Sequence, residues 1–230
     1  MIFRQLFDHK SSTYTYLLAE RAGGEALLID PVDENTDQYV RLLNALDVKL
    51  VLAVDTHIHA DHVTALGSLA AKTDCVTAMG EASGVECVSV RFSEGEKLRV
   101  DNLHLDILYT PGHTDDSYSF LLPDRVFTGD TLLIRGTGRT DFQNGDPAAQ
   151  YDSLFGKLLT LPSDTFVYPA HDYNGMTVST IGEELRHNPR LQVGSRQAYI
   201  EQMNALDLKD PELMDIAVPA NRCCGIRAAA

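Results

Sequence analysis

The alternation of apolar and polar residues predicts a short antiparallel meander at the start of the chain. Strand-like runs cover residues 3–7, 13–19 and 25–29. The pair Gly23-Gly24 separates the last two runs and suits a hairpin turn, because glycine has no side chain to restrict the backbone. A helix follows, with a buried face formed by Tyr39, Leu42, Leu43 and Leu46. An apolar run over residues 49–54 then predicts a buried strand.

Further along, the pattern predicts a second helix from Asp61 or His62, followed by many short strands. These strands cover residues 75–78, 85–92, 98–100, 103–109, 117–122, 126–128 and 165–168. Three later helices have start signals, namely Asp146-Pro147, a capping box formed by Thr180 and Glu183, and Ser195. The tail from Pro219 is expected to be irregular. This order favours an α+β fold with two mixed β-sheets between helices, in one domain over residues 1–230.

Three histidines and an aspartate fall within seven residues, directly after the predicted strand over residues 49–54. They are His57, His59, Asp61 and His62. Imidazole nitrogen and carboxylate oxygen together suit zinc, iron or manganese, whereas magnesium and calcium prefer oxygen alone. The carboxyl end of a strand is also where open α/β sheets usually carry their sites. The cluster therefore predicts a metal site.

Three other loops repeat this context, in which a strand is followed by glycine or proline and then by histidine or aspartate. They cover residues 110–114, 128–131 and 168–173, and contribute His113, Asp130 and His171. Each loop alone is compatible with an ordinary turn. Their repetition predicts that all of them meet the first cluster at one sheet edge.

The composition of the chain limits the classes of molecule that it is expected to bind. The formal net charge is −14, from 19 basic and 33 acidic residues, which argues against nucleic acid and anionic membrane as partners. No apolar window approaches the ~20 residues of a membrane span, and the chain starts on a strand-like run, so a soluble, non-secreted protein is expected. The four cysteines form no Cys-x-x-Cys pair and are expected to be reduced thiols in a cytoplasm-like compartment. The role of Cys223 and Cys224 stays open.

The sequence resembles the metallo-β-lactamase superfamily, in which T-H-x-H-x-D-H is followed by His, Asp and His. All seven ligand positions are matched, by His57, His59, Asp61, His62, His113, Asp130 and His171. The resemblance implies a four-layer αβ/βα sandwich. Within the superfamily the chain is similar to the persulfide dioxygenases, also called sulfur dioxygenases, over residues 56–62, 132–143, 168–173 and 217–221. The Gly-x-Gly-Arg-Thr-Asp-Phe-Gln run at residues 136–143 is the most specific of these segments.

This resemblance implies one Fe(II) per chain, held by His57, His113 and Asp130. The other four positions, His59, Asp61, His62 and His171, would then orient the ligands or form a second metal site. The implied reaction converts glutathione persulfide, O2 and water into sulfite and glutathione. Substrate carboxylate is assigned to Arg139, and its ammonium and amide groups to Asp141 and Tyr173. A structural ion pair between Arg139 and Asp141 is the alternative.

Two rival functions stay open. The spacing equally supports two zinc ions bridged by Asp130, the arrangement of a glyoxalase II-type thioesterase that hydrolyses S-acylglutathione. The chain after His171 is short for the helical substrate domain of those enzymes. The second rival is a non-catalytic sulfur-relay or binding module. A homodimer, a link to a rhodanese-like sulfurtransferase, and the choice between bacterial cytoplasm and mitochondrial matrix are further expectations from the resemblance.

Overall fold

The computed structural model describes residues 1–209 and 213–226. Within them the strands are β1 Ile2–Asp8, β2 Thr13–Ala19, β3 Glu25–Ile29, β4 Lys49–Val54, β5 Val76–Gly80, β6 Val90–Phe92, β7 Lys97–Val100, β8 Leu103–Tyr109, β9 Tyr118–Leu122, β10 Arg125–Phe127, β11 Phe166–Tyr168 and β12 Ser179–Thr180. The α-helices are α1 Thr36–Ala45, α2 Leu66–Thr73, α3 Pro147–Gly156, α4 Ile181–His187, α5 Arg196–Asn204 and α6 Met214–Asn221. In the described residues, no helix combines the length and the apolarity that a bilayer crossing requires.

The strands form two mixed sheets, as the sequence predicts. The first has the order β1-β2-β3-β4-β5-β6, with antiparallel pairing from β1 to β3 and parallel pairing from β3 to β6. The second has the order β12-β11-β10-β9-β8-β7, in which β10 and β11 are the parallel pair. In the first sheet, parallel pairing brings the carboxyl ends of β3 and β4 side by side. Loops that follow these two strands therefore start next to each other.

The chain forms two compact units. The first contains residues 1–92, 97–105 and the described C-terminal residues 213–226. Its core joins the first sheet to α1 and α2 through buried residues that include Leu28, Leu43, Ala53 and Leu69. The second contains residues 93–96 and 106–209, and its core joins β10 and β11 to α3, α4 and α5 through Val126, Leu154, Val167, Ile181 and Tyr199. That both units belong to one domain stays a prediction.

The predicted starts of the three later helices are confirmed. Asp146 accepts a hydrogen bond from the Ala148 N–H (2.7 Å), and Thr180 and Ser195 accept equivalent bonds. Each side chain satisfies a backbone donor that the first helical turn leaves without a partner. Glu183, the predicted second member of a capping box, instead contacts the guanidinium of Arg135.

Three element predictions were wrong. Helix α2 begins at Leu66 rather than at Asp61 or His62, because nearby backbone donors bond elsewhere: Thr64 N–H to Asn221 and Ala65 N–H to the Pro31 carbonyl. The tail predicted to be irregular from Pro219 is helical at its start, since α6 contains Pro219 and buries Ala217 and Ala220. Residues 222–226 are in no helix or strand, and residues 227–230 lie outside the described residues. The strand predicted over residues 85–92 is confined to β6, after a 3₁₀ turn at Glu81–Ser83.

The expectation of four reduced thiols was also wrong. Cys87 and Cys224 form a disulfide across a sequence separation of 137 residues. Cys75 is a buried free thiol and Cys223 an exposed one. The spacing of Cys87 and Cys224 in the sequence does not predict that they pair, because only the fold of the first unit brings the two residues together. The disulfide fastens that segment within the first unit.

Candidate metal site

Asp30 fixes the start of the histidine cluster, although the sequence analysis did not identify it. Asp30 follows β3, is 1% exposed, and lies beside the end of β4. Its Oδ1 accepts a hydrogen bond from the Thr56 N–H (2.7 Å), and its Oδ2 accepts one from the Thr56 hydroxyl (3.0 Å). One carboxylate therefore anchors the entry to residues 57–62, called here the His loop. An acid directly after a strand was the available signal, but Asp30 lacks the intervening glycine or proline of the context that identified Asp130.

The anchor also sets the tautomer of His57. His57 is buried, and its Nδ1 lies 3.0 Å from the Thr56 hydroxyl oxygen. Because the Thr56 hydroxyl donates its hydrogen to Asp30, its oxygen accepts from the His57 Nδ1–H. A neutral histidine protonated at Nδ1 keeps its lone pair on Nε2. His57 is therefore prepared to bind a metal through Nε2.

His59 forms a buried pair with the same aspartate. Its Nε2 lies 3.1 Å from Asp30 Oδ1. Burial lowers the pKa of His59, but the charge and hydrogen bond of Asp30, with the charges of Asp61 and Asp55, outweigh it and raise the pKa to about 9. The pair holds the middle of the His loop against the end of β3.

Asp61 and His62 complete the loop. The His62 Nδ1 lies 2.9 Å from Asp61 Oδ2, and the Thr13 hydroxyl donates to the same oxygen (3.1 Å). Ligand atoms of His59, Asp61 and His62 all lie within 4.8 Å of one another. The first unit therefore contains a histidine and aspartate cluster with the donor types and spacing of a metal site.

In the second unit, a backbone carbonyl fixes His113. The His113 Nδ1 lies 2.7 Å from the carbonyl oxygen of Arg139. A carbonyl only accepts hydrogen bonds, so the Nδ1 carries the proton and donates it. The lone pair is again on Nε2, which lies 3.5 Å from Asp130 Oδ2. One function of the Gly-x-Gly-Arg segment is therefore to orient the His113 ring through the Arg139 carbonyl.

Asp130 uses its two carboxylate oxygens differently. Its Oδ1 lies 2.7 Å from the Nδ1 of the buried His171, and its Oδ2 faces the Nε2 of His113. His171 therefore orients Asp130 and leaves Oδ2 beside the imidazole lone pair. The second unit thus presents one imidazole nitrogen and one carboxylate oxygen side by side.

A buried polar network supports the loop that holds His113. Gly138 lies so close that an added Cβ would be 2.3 Å from the Asp130 carbonyl oxygen and 2.7 Å from His113 Nδ1. The Gln150 side-chain amide donates to the Gly138 carbonyl (3.0 Å), and the Tyr199 hydroxyl donates to Gln150 Oε1 (2.8 Å). Sequence reasoning placed Gln150 and Tyr199 only on helices, because nothing in their local pattern marks a contact this far along the chain.

The predicted substrate residues are placed as follows. Arg139 donates two hydrogen bonds to Asp141 (2.7 and 2.8 Å) and one to the Lys209 carbonyl (2.5 Å), and its guanidinium carbon lies 4.4 Å from the Phe142 ring centroid. The hydrogen bonds from Arg139 lower the pKa of Asp141. Tyr173 is 69% exposed, and its ring stacks on that of His171 at a centroid distance of 6.0 Å. Arg139 and Asp141 thus form the ion pair that the sequence analysis gave as an alternative.

The chain is similar to known proteins in sequence and in fold. Residues 10–88 and 88–171 match the family model of the metallo-beta-lactamase superfamily. Persulfide dioxygenase ETHE1, mitochondrial, of Mus musculus is 45% identical over 99% of this chain and 90% of its own length. A crystal structure of ETHE1 from Myxococcus xanthus is 53% identical, with a TM-score of 0.96 over 98% of this chain and 100% of that chain. A probable hydroxyacylglutathione hydrolase of Schizosaccharomyces pombe is 33% identical over 75% of this chain and 69% of its own length.

Proposed function

We propose that this chain, which belongs to the persulfide dioxygenases of the metallo-beta-lactamase superfamily, oxidises glutathione persulfide with one ferrous iron per chain. The overall reaction converts glutathione persulfide, dioxygen and water into glutathione, sulfite and two protons, and its atoms balance. Family membership makes the chain an oxidoreductase that acts on persulfides. The metal's identity and the glutathione carrier are the finer parts of the proposal.

The observation that carries the proposal is the presentation of three donor atoms. His57 Nδ1, His113 Nδ1 and Asp130 Oδ1 are each held by a partner within the same unit. The remaining atoms, His57 Nε2, His113 Nε2 and Asp130 Oδ2, are our assigned iron ligands. Two imidazoles and one carboxylate are the donor set of a facial triad, which leaves positions for substrate and dioxygen. The residues present therefore fit Fe(II).

When bound, ferrous iron would activate dioxygen and offer open coordination positions for both reactants, whereas the four electrons that reduce dioxygen would come from the persulfide as it is oxidised to sulfite and thiol. The chain's own residues determine the orientation of the ligands. In this proposal Asp30, acting through Thr56, holds His57, the Arg139 carbonyl holds His113, and His171 holds Asp130. His59, Asp61 and His62 stabilise the His loop through Asp30 and Thr13. Such partners typically contribute about 10- to 100-fold to metal affinity or activity.

Arg139, Asp141 and Tyr173 are proposed to contact the glutathione part of the substrate. Arg139 can grip a carboxylate through two hydrogen bonds, as it does Asp141. Replacing Arg139 with Gln is expected to raise the persulfide KM with little change in kcat, because charge and fork geometry are both lost. Arg196→Gln is the matched control, since it breaks an equivalent two-bond ion pair, with Asp152, and is expected to leave the KM unchanged. Loss of iron or of folding in Arg139→Gln would support a purely structural role.

A zinc thioesterase of the glyoxalase II type is the competing function. It is favoured by the His59, Asp61 and His62 group, which offers the ligands of a second metal. That function requires turnover of S-lactoylglutathione by the zinc-loaded protein. The proposed function requires oxygen uptake by the iron-loaded protein, so the two substrates separate the functions.

Location and assembly are part of the proposal. The cytoplasm is proposed for a bacterial source, and the mitochondrial matrix for a eukaryotic one because the Mus musculus relative is mitochondrial. A homodimer and a functional link to a rhodanese-like sulfurtransferase follow from the family resemblance. Light scattering coupled to size exclusion measures the first, and pull-down with a purified sulfurtransferase measures the second.

The deciding experiment follows dioxygen consumption by protein purified anaerobically and loaded with ferrous iron. Addition of glutathione persulfide is expected to cause rapid uptake with one sulfite formed per dioxygen, and His113→Ala is expected to abolish both. Iron content is measured for each protein, so that loss of metal is distinguished from loss of chemistry. No uptake by the iron-loaded wild-type protein would contradict the proposal.

A further inference from the structure

The backbone of the His loop is held by a residue that lies some 160 positions away in the sequence. The Asn221 side-chain amide donates to the carbonyls of His59 (2.9 Å) and His62 (2.8 Å). Its Oδ1 accepts from the Thr64 N–H (2.8 Å). Asn221 ends α6 and is 1% exposed. Its three hydrogen bonds therefore span the second half of the His loop and the residues that lead into α2.

The chemistry of asparagine matches this position closely. The loop is irregular, so its buried carbonyls and N–H groups lack the partners that a helix or sheet would supply. Two carbonyls require two hydrogens, and one N–H requires an acceptor. A carboxamide supplies both hydrogens from one nitrogen and an acceptor from its oxygen. Aspartate has the same shape, but it would direct a carboxylate oxygen at two carbonyl oxygens.

Close packing keeps Asn221 at this distance from the loop. The Gly67 N–H donates to the Cys224 carbonyl (2.9 Å), and a Cβ on Gly67 would lie 2.7 Å from that oxygen. Gly225 has a φ of +78°, and a Cβ there would lie 2.1 Å from the Thr64 carbonyl oxygen. Two glycines thus allow the segment after α6 to lie against the residues around the His loop.

The Cys87–Cys224 disulfide holds this segment in place. Cys224 lies three residues after Asn221 and is buried, and its partner precedes β6 in the same unit. We propose that Asn221 is a positioning residue for the metal site, fixing the His-loop backbone from a segment that the disulfide fastens. The effect on turnover rests on the proposed function, whereas the effect on metal binding does not.

The test compares Asn221→Asp and Asn221→Ala with the wild-type protein and with Leu43→Ala. Leu43 is a buried core residue of α1 in the same unit and takes no part in the three hydrogen bonds of Asn221, so Leu43→Ala removes stability while those bonds keep their partners. Each protein is titrated with Co²⁺, and the visible absorption of the bound ion reports its coordination. Free energies of unfolding are measured in urea to match the losses of stability. Oxygen uptake by the iron-loaded proteins gives kcat and KM.

Asn221→Asp is expected to weaken Co²⁺ binding at least tenfold, to alter the absorption spectrum, and to lower kcat with KM within about twofold. Leu43→Ala is expected to keep wild-type Co²⁺ affinity and spectrum at a comparable loss of stability. Wild-type Co²⁺ affinity and spectrum in folded Asn221→Asp would overturn the proposal. If that variant does not fold, Cys87→Ser takes its place as the deciding variant. Loss of the disulfide is expected to weaken Co²⁺ binding, because it loosens the segment that carries Asn221, and unchanged affinity would overturn the proposal. Cys223→Ser is the control, since it removes a thiol outside the disulfide. Absence of oxygen uptake in the wild-type protein rejects the proposed function alone.

Discussion

At the scale of single residues, the atoms that face away from the proposed metal decide how the proposed ligands are presented. His57 and His113 each donate their Nδ1 hydrogen to an oxygen within their own unit, and Asp130 commits one oxygen to His171. The tautomer of each histidine is thus set by the chain before any metal arrives. Replacing a partner is therefore expected to weaken a ligand without removing it.

Gly138 provides a direct test of this arrangement. Gly138→Ala is expected to reduce iron content and kcat at least tenfold, because the new methyl group displaces His113 or the Asp130 backbone. Gly136→Ala is the control from the same loop, since its methyl group would meet only the Leu133 side chain at 3.9 Å. The measurement is iron per chain and oxygen uptake for both variants. Equal behaviour of the two variants would contradict the expectation.

Tyr199 makes stability depend on pH at the alkaline end. Burial raises the pKa of Tyr199 to about 12, against about 10 for a tyrosine in an unfolded chain. Between these values the unfolded chain loses the phenol proton while the folded protein retains it, so stability falls as pH rises from 10 to 12. The loss is expected to reach about 2 to 3 kcal/mol. Urea unfolding at pH 9 and 11 is expected to show about half of this loss, roughly 1.4 kcal/mol, because pH 11 lies midway between the two pKa values. Tyr199→Phe is expected to show a correspondingly smaller fall between the two pH values.

The residues that the sequence predicted and those it missed differ in one respect. His57, His59, Asp61 and His62 are close together in the chain, so their spacing alone indicates a metal site. Asp30, Gln150, Tyr199 and Asn221 act through hydrogen bonds to residues between 12 and 162 positions away. Such contacts depend on the fold, and no local pattern marks them.

At the scale of elements, local signals predicted the helix starts whose partners are local. Asp146, Thr180 and Ser195 each accept a bond from an N–H two or three residues further on. The predicted start of α2 was wrong because Thr64 and Ala65 bond to distant parts of the chain. Helix α6 was missed because proline usually ends helices, whereas here burial of Ala217 and Ala220 stabilises one that contains Pro219.

The Cys87–Cys224 disulfide is expected to stabilise the first unit. It restricts the unfolded chain over a separation of 137 residues, and such bonds typically contribute about 2 to 4 kcal/mol. Cys87→Ser is therefore expected to unfold at a lower urea concentration than the wild-type protein. Cys223→Ser, which alters an exposed free thiol next to the bonded Cys224, is expected to leave the midpoint unchanged. Identical midpoints for the wild-type protein and Cys87→Ser would show that the bond adds no stability.

At the scale of the whole molecule, the net charge of −14 acts on an anionic substrate before it reaches the site. Repulsion extends about 30 Å at 0.01 M salt and only about 10 Å at 0.1 M. For the proposed persulfide reaction, kcat/KM is therefore expected to rise about twofold between these salt concentrations. The measurement is initial oxygen uptake at low substrate over a series of KCl concentrations. A fall with added salt would indicate that a local positive field, such as that of Arg139, dominates the encounter.

The contact of Asn221 with His59 and His62 also sets an order of events during synthesis. The ribosome adds Asn221 about 160 residues after these histidines. At roughly 5 to 20 residues per second, about 8 to 32 s pass between the synthesis of the His loop and that of Asn221, whose side chain bonds to the loop backbone. A metal that arrives earlier meets a loop whose carbonyls are still free to rotate. We therefore expect the metal to bind in its final geometry only after α6 has been translated and the segment that carries Asn221 has folded against the His loop.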